Sequence, residues 1–266
     1  MSKVILITGA SSGLGEQIAT YLAGKGYQVY GTSRSIERQT KPFKTLNMDV
    51  CDSASIQNAL ERILKESGRL DVLINNAGLG IAAPLEYLPI DEFQRVMDTN
   101  LMGSLRTIQA VLPTMRKQQK GYIINISSIA AEAGLPFRGG YSASKSALDR
   151  LTETLRLELT TYGVQVCSIQ PGGVKTDINK NRVKAKLADD NIYKQDFDRT
   201  YQMIDESVDQ GISADVFGPL VGSIIESPNV KRIYRIGKPL EKLSVLLKRI
   251  LPESTYERMI RNHYKL

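Results

Sequence analysis

Residues 4–15 read Val4-Ile5-Leu6-Ile7-Thr8-Gly9-Ala10-Ser11-Ser12-Gly13-Leu14-Gly15. Four aliphatic residues run straight into a turn of glycines and serines. The stretch 15–23 then spaces Ile18, Ala19, Leu22 and Ala23 at helical intervals. The reading is a buried strand, a tight turn and a helix. The glycines open backbone torsions closed to other residues and let the chain approach a ligand closely. The helix starting at the turn offers free N–H groups and a positive dipole end, which suit a pyrophosphate. The spacing is G-x-x-x-G-x-G, not the general G-x-G-x-x-G, so taken alone the segment also reads as a plain tight turn.

The same alternation continues along the chain. Strands are expected at Gln28–Ser33, Thr45–Met48, Val72–Ile74, Tyr122–Ile126, Val164–Ile169 and Lys231–Ile236. Helices are expected at 53–67, where Ile56, Ala59, Leu60, Ile63 and Leu64 share a face, at 91–115 with Asp91 as its cap, and at 141–162. Strands alternating with helices pair in parallel through right-handed crossovers. Their continuous apolar runs mean that helices cover both faces. The fold class is therefore α/β, a doubly wound parallel sheet of Rossmann type with about seven strands, its ligand site at the carboxyl ends of the strands. Residues 1–238 read as one domain and 239–266 as a basic amphipathic tail. Residues 175–210 are polar without a clear period and read as a substrate loop or lid.

Composition excludes several classes. The chain has 266 residues, 42% apolar and 24% charged, which suits a folded globular protein. The net charge is +7. Residues 231–266 hold ten Lys/Arg against three Asp/Glu, so the rest of the chain is neutral. A nucleic-acid-binding body is not indicated. Two cysteines make neither a disulfide framework nor a zinc site, and no metal site is expected. The sole histidine, His263, is four residues from the end, which argues against a histidine base. Cys167 lies within an apolar strand and reads as core. Neither a membrane span nor a leader is apparent, and a cytoplasmic location is expected.

Two further features carry chemistry. At the end of the second strand stands Thr32-Ser33-Arg34, with no acid to bond a ribose 2′-OH. Arg34 instead offers a fixed cation to a 2′-phosphate, which favours NADP(H) over NAD(H). Tyr141-Ser142-Ala143-Ser144-Lys145 places Tyr141 and Lys145 four apart on one helical face. A free tyrosine, pKa near 10, is a poor base at neutral pH. An adjacent ammonium favours the phenolate and lets it exchange a proton with substrate. As an isolated pair, Y-x-x-x-K reads rather as a surface Tyr–Lys pair than as a catalytic one.

Taken together, Thr8–Gly15, Asn75-Asn76-Ala77-Gly78, Asn100, Ser128, Tyr141, Lys145 and Pro171-Gly172-Gly173-Val174-Lys175-Thr176 occur in an order and spacing that resemble the short-chain dehydrogenase/reductase family. The resemblance covers residues 1–180. It implies that Gly9, Ser11, Ser12, Gly13, Leu14 and Gly15 cradle the dinucleotide and that Asp49 and Val50 meet its adenine. Asn76, Ala77 and Gly78 would line the cleft. Pro171, Gly172, Val174 and Thr176 would pack on the nicotinamide end. Asn100 would kink its helix and help hold a water in a proton relay with Lys145. Tyr141 would be the acid/base, and Lys145 would also bond the nicotinamide ribose.

Of the adjacent Ser127 and Ser128, the family spacing to Tyr141 selects Ser128. Strand alternation would send only one of the two into the pocket. Its hydroxyl would stabilise negative charge on the substrate oxygen. The reaction implied is NADP(H)-dependent interconversion of an alcohol and a carbonyl. The alternative is a non-catalytic dinucleotide-binding regulator on the same fold.

The largely apolar run Ile129–Phe137 should border the pocket. With the basic tail, it resembles members acting on steroids and retinoids and favours an apolar substrate, 3-ketosphinganine among the candidates. In the tail, Leu240, Leu243, Leu246, Leu247, Ile250 and Leu251 form an apolar face beside Lys242, Lys248 and Arg249. That helix either packs over the substrate mouth or a neighbouring subunit, the preferred reading, or lies on a membrane surface. The family also implies a homodimer or homotetramer, paired through the helices at 91–115 and 141–162.

Overall fold

The computed structural model describes residues 2–36, 39–176, 179 and 182–266. Seven parallel strands form one sheet: β1 Val4–Thr8, β2 Gln28–Ser33, β3 Lys44–Asn47, β4 Val72–Asn75, then β6 Gly121–Ile126, β7 Val164–Pro171 and β9 Ile233–Ile236. A minor pair, β5 Ile81–Ala82 with β8 Val183–Lys184, lies apart. The sheet order is β3-β2-β1-β4-β6-β7-β9. The chain winds outward from β1 in one direction and returns to continue on its other side. The order thus reverses between β1 and β4, and their carboxyl ends open the crevice in which such sheets bind ligands.

Side-chain alternation along β1 feeds two cores. Ile5 and Ile7 face α1 Gly13–Gly24 and α7 Phe217–Glu226, packing with Ile18, Leu22, Phe217 and Val221. Val4 and Leu6 face the opposite layer, with Ile56, Leu60 and Ile63 of α2 Ser53–Ser67 and Ile108, Val111 and Met115 of α4 Gly103–Gln118. All five β1 residues are buried, as an apolar run between two helical layers must be. Helix α2 has bounds expected from its period and caps. Asp52 accepts from Ala54 N at its start, and Gly68 ends it at φ 68°, a left-handed torsion that favours glycine.

Two expectations need correction. The region 91–115 is not one helix capped by Asp91. Helix α3 spans Ile90–Met97 with Pro89 at its cap and Asp91 within its first turn. A π-helical turn at Asp98–Met102 follows before α4 begins. The cause is Asn100, whose side chain is committed to a neighbouring segment and widens the helix there. The region 175–210 is also not aperiodic throughout. Lys194–Asp209 forms α6, burying Phe197, Thr200, Ile204 and Val208. These positions repeat every three or four residues, but the charges between them dilute the apolar signal. Residues 177, 178, 180 and 181 of the expected loop lie outside the described residues.

The C-terminal residues form α8 Pro239–Ile250 and α9 Glu253–Tyr264. Among the described residues, no helix is long and apolar enough to cross a membrane.

Candidate active site

The turn after β1 is built by close approach. Gly9 has φ +67°, and a Cβ there would lie 2.8 Å from Ala77 Cα. A Cβ on Gly15 would overlap Asn76 Nδ2 and the Gly9 carbonyl. Thr8 and Asn76 lock the arrangement. Thr8 Oγ1 accepts from Asn76 N and Ala77 N, both at 3.0 Å, while Asn76 Nδ2 donates to Thr8 O at 3.0 Å and Gly9 O at 2.9 Å. The Asn76 amide is thus engaged as a brace. Ser12 caps α1 without a side-chain bond, and Ser12, Gly13 and Leu14 at this helix start line the cleft.

One cavity of about 930 Å³ runs from this turn across the carboxyl ends of the strands. Gly9, Ser11, Ser12, Gly13 and Leu14 line it, with Arg34 after β2 and Asp49 and Val50 after β3. Asn76, Ala77 and Gly78 follow β4, and Pro171, Gly172, Val174 and Thr176 follow β7. Ser128, Tyr141 and Lys145 line it as well. Two of the residues singled out in the sequence stand apart. Gly15 is buried behind the turn, where it serves the close packing. Asn100, fully buried, sits one layer behind the wall. Its Oδ1 accepts from Leu79 N at 2.7 Å, and its Nδ2 donates to Leu79 O at 2.9 Å and Ser144 Oγ at 3.0 Å. That side chain ties α5 Gly139–Glu158 to the segment after β4.

Lys145 is 5% exposed, and its ammonium donates to Ile126 O at 2.8 Å. Both Ser127 and Ser128 border the cavity, contrary to the expectation that only one would. The backbone is still extended at Ser128, with φ −163° and ψ 154°, yet alternation does not separate the two with respect to the cavity. Their bonding does. Ser127 Oγ donates to Lys145 O at 3.4 Å, whereas Ser128 Oγ accepts from Ala130 N at 3.1 Å. Tyr141 is half-buried on the cavity wall, and the Arg138 guanidinium lies 5.3 Å from its ring centroid. Arg138 was not singled out in the sequence. It lines the cavity between Tyr141 and Tyr264 of the C-terminal region, interacting with both.

Apolar side chains make up much of the cavity's remaining lining, with Glu132, Arg138 and His263 among them. Ile129, Ala133 and Leu135 line it, as do Leu240, Val245 and Leu247 of α8 and Tyr256, Met259, Ile260 and Tyr264 of α9. Phe137 departs from the expected border. It packs against Phe197 at 5.5 Å between ring centroids, in a separate cluster. Glu132 anchors the C-terminal region, accepting from Arg235 at 2.6 Å and Gln170 at 2.9 Å, with Arg249 at 3.5 Å. Burial raises the Glu132 carboxyl, but these cations and the Gln170 amide outweigh it and hold the group below the usual carboxylate range. Behind the wall, burial raises Asp149 above its usual range against hydrogen bonds from Ser168 and Gln170. Burial pushes the Cys167 thiol up to about 12, which makes it inert.

Comparison with known proteins agrees with this architecture. The family model described as short chain dehydrogenase matches residues 3–187. A 3-ketodihydrosphingosine reductase of Bacteroides thetaiotaomicron is 38% identical over 265 residues, covering 99% of this chain and 98% of that protein. A crystal structure of a short-chain dehydrogenase from Streptomyces avermitilis superposes with a TM-score of 0.85 at 26% identity, covering 98% of this chain and 99% of that one. The closed form of a serine dehydrogenase complexed with NADP+ superposes with a TM-score of 0.76 at 25% identity, over 88% of this chain and 94% of that one.

Proposed function

The chain belongs to the short-chain dehydrogenase family, oxidoreductases acting on CH–OH and carbonyl groups, and from that premise we propose that it is an NADP(H)-dependent reductase of an apolar, long-chain ketone. The observation that carries this reading is the continuity of one cavity. It begins at a glycine turn and helix N-terminus, passes Ser128, Tyr141 and Lys145, and ends among apolar side chains. The Gly9 close approach and the unbonded α1 N-terminus fit a pyrophosphate, so the cleft suits a dinucleotide. Arg34 at the end of β2, with no acid among Thr32, Ser33 and Arg34, suits a 2′-phosphate.

When bound, NADPH supplies the hydride. Ser128 and Tyr141 hold the carbonyl oxygen, and Tyr141 gives it a proton as charge develops there. Lys145, fixed against β6, would hold the nicotinamide ribose. The apolar walls exclude water and receive the substrate chain. The likeness to a 3-ketodihydrosphingosine reductase along the whole chain supports a lipid-like ketone. On its outer face, α8 exposes Leu243, Leu246 and Ile250 beside Lys242, Lys248 and Arg249. That face suits an anionic lipid surface from which such a substrate would enter.

Oxidation of NADPH and of NADH is to be followed against a panel of sphingoid, steroid, retinoid and short-chain ketones. Turnover of the long-chain members with NADPH is the expected result. A protein that binds NADPH yet turns over none of the panel sinks the reading.

A further inference from the structure

We infer that Glu241, in the first turn of α8, is a positioning residue for the cofactor, fixing the Pro171–Val174 wall so that the C-terminal helices form a working part of the dinucleotide site. The inference rests on the reading that this wall packs on the nicotinamide half.

The geometry is specific. Glu241 Oε1 accepts from Gly173 N at 2.9 Å, and Oε2 accepts from Lys238 N at 2.7 Å. One carboxylate therefore joins two backbone segments that are 65 residues apart in sequence (Gly173 to Lys238). The three glycines around it make room. A Cβ on Gly172 would overlap Oε2, one on Gly237 would lie 2.6 Å from it, and one on Gly173 would lie 3.3 Å from Oε1. The neighbouring Gly172 N is satisfied by the β9 backbone, donating to Ile236 O at 2.8 Å. The Gly173 N–H is held by a side chain from the tail. Hydrogen bonds to an ionised acceptor are stronger than neutral ones, and the α8 N-terminus favours the negative charge. Glu241 also lines the cavity, so its restraint acts at the wall's exposed edge. Its place in the first turn of α8 accounts for the bond to Lys238 N as a cap, but nothing local marks the bond to Gly173, which lies beyond β7.

The test separates the two halves of the cofactor. NADPH and 2′,5′-ADP, which lacks the nicotinamide, are titrated against wild type, Glu241→Ala and Glu241→Gln. Losing two charge-assisted bonds should weaken NADPH binding about tenfold in Glu241→Ala, with 2′,5′-ADP binding unchanged. Glu241→Gln keeps one acceptor but turns an NH2 toward the second N–H, so it should fall between. If Glu241→Ala does not fold, Glu241→Gln carries the comparison. Equal weakening of both ligands, or of neither, overturns the inference. Wild-type turnover of ketones reports separately on the parent reading. A wild type that binds NADPH no tighter than 2′,5′-ADP removes the nicotinamide from this wall and the inference with it.

Discussion

The Lys145 ammonium donates to the carbonyl oxygen of Ile126 at 2.8 Å, joining the middle of α5 to the last residue of β6. A buried cation held in this way cannot swing out to solvent. It stands next to Gly78, where a Cβ would lie 3.4 Å from Lys145 Nζ, and thus at the carboxyl ends of β4 and β6 together. Tyr141 lies one helical turn earlier on the same wall of the cavity. The expected consequence is that Tyr141→Phe lowers kcat by about 10²- to 10⁴-fold, the range of a general acid, while the NADPH dissociation constant changes little. Steady-state rates paired with fluorescence titration check this, and full activity in Tyr141→Phe sinks the acid/base role.

Arg34 follows β2 on the exposed rim of the cavity. A guanidinium there contributes only to a cofactor carrying the 2′-phosphate. In Arg34→Asp the KM for NADPH should rise about 10- to 100-fold, the worth of a charge-assisted contact. The KM for NADH should hold or fall, since a carboxylate can accept from the ribose hydroxyls. An equal change for both cofactors would remove Arg34 from the 2′-phosphate.

The sheet was legible in the sequence because its central strands are short, apolar and buried, whereas the edge strands β3 and β9 are only partly buried and showed more weakly. The cavity-lining residues were legible for another reason. They sit at strand ends, where small and polar residues interrupt apolar runs. What could not be read depends on partners distant in the chain. A kink at Asn100 was expected from the family resemblance, but not that its amide would be spent on Leu79. Helix α6 hides its period among charges because only one narrow face packs. The tail pattern announced an amphipathic helix but not what its inner face covers. Val245 is buried against the cavity and Leu243 is 45% exposed, though both are aliphatic.

Glu132 gives the molecule an acid-sensitive joint. Its folded pKa is depressed by Arg235, Gln170 and Arg249 against the opposing effect of burial. A depressed carboxyl stabilises the fold above its unfolded pKa, about 4.3, and that contribution fades as pH falls through the folded value. Glu132→Gln should cost about 1 to 2 kcal/mol at pH 7. The gap to wild type should close below about pH 4. Asp149, raised by burial, has the opposite sign. The difference between the two proteins in urea midpoint, followed from pH 7 to 3, is therefore the quantity to measure. A gap independent of pH would show that Glu132 acts by packing alone.

The outer face of α8 leaves Leu243 45%, Leu246 53% and Ile250 64% exposed, while its inner face lines the cavity through Leu240, Ser244 and Val245. Exposed apolar side chains in a row suit a covering surface, and the proposed one is a lipid bilayer. The basic excess of residues 231–266 gives that surface a negative sign, because each cation near an anionic bilayer contributes on the order of 1 kcal/mol. Wild type should cosediment with phosphatidylserine-containing vesicles at low salt, and much less with pure phosphatidylcholine or at high salt. The double variant Leu243→Glu and Leu246→Glu should lose this binding about tenfold or more, since two apolar anchors become charges that the bilayer repels. Its melting temperature and its turnover of a short soluble ketone should stay near wild type, because neither side chain lines the cavity. Retention of vesicle binding by the double variant would place the lipid contact elsewhere, and absence of binding in wild type would reject it.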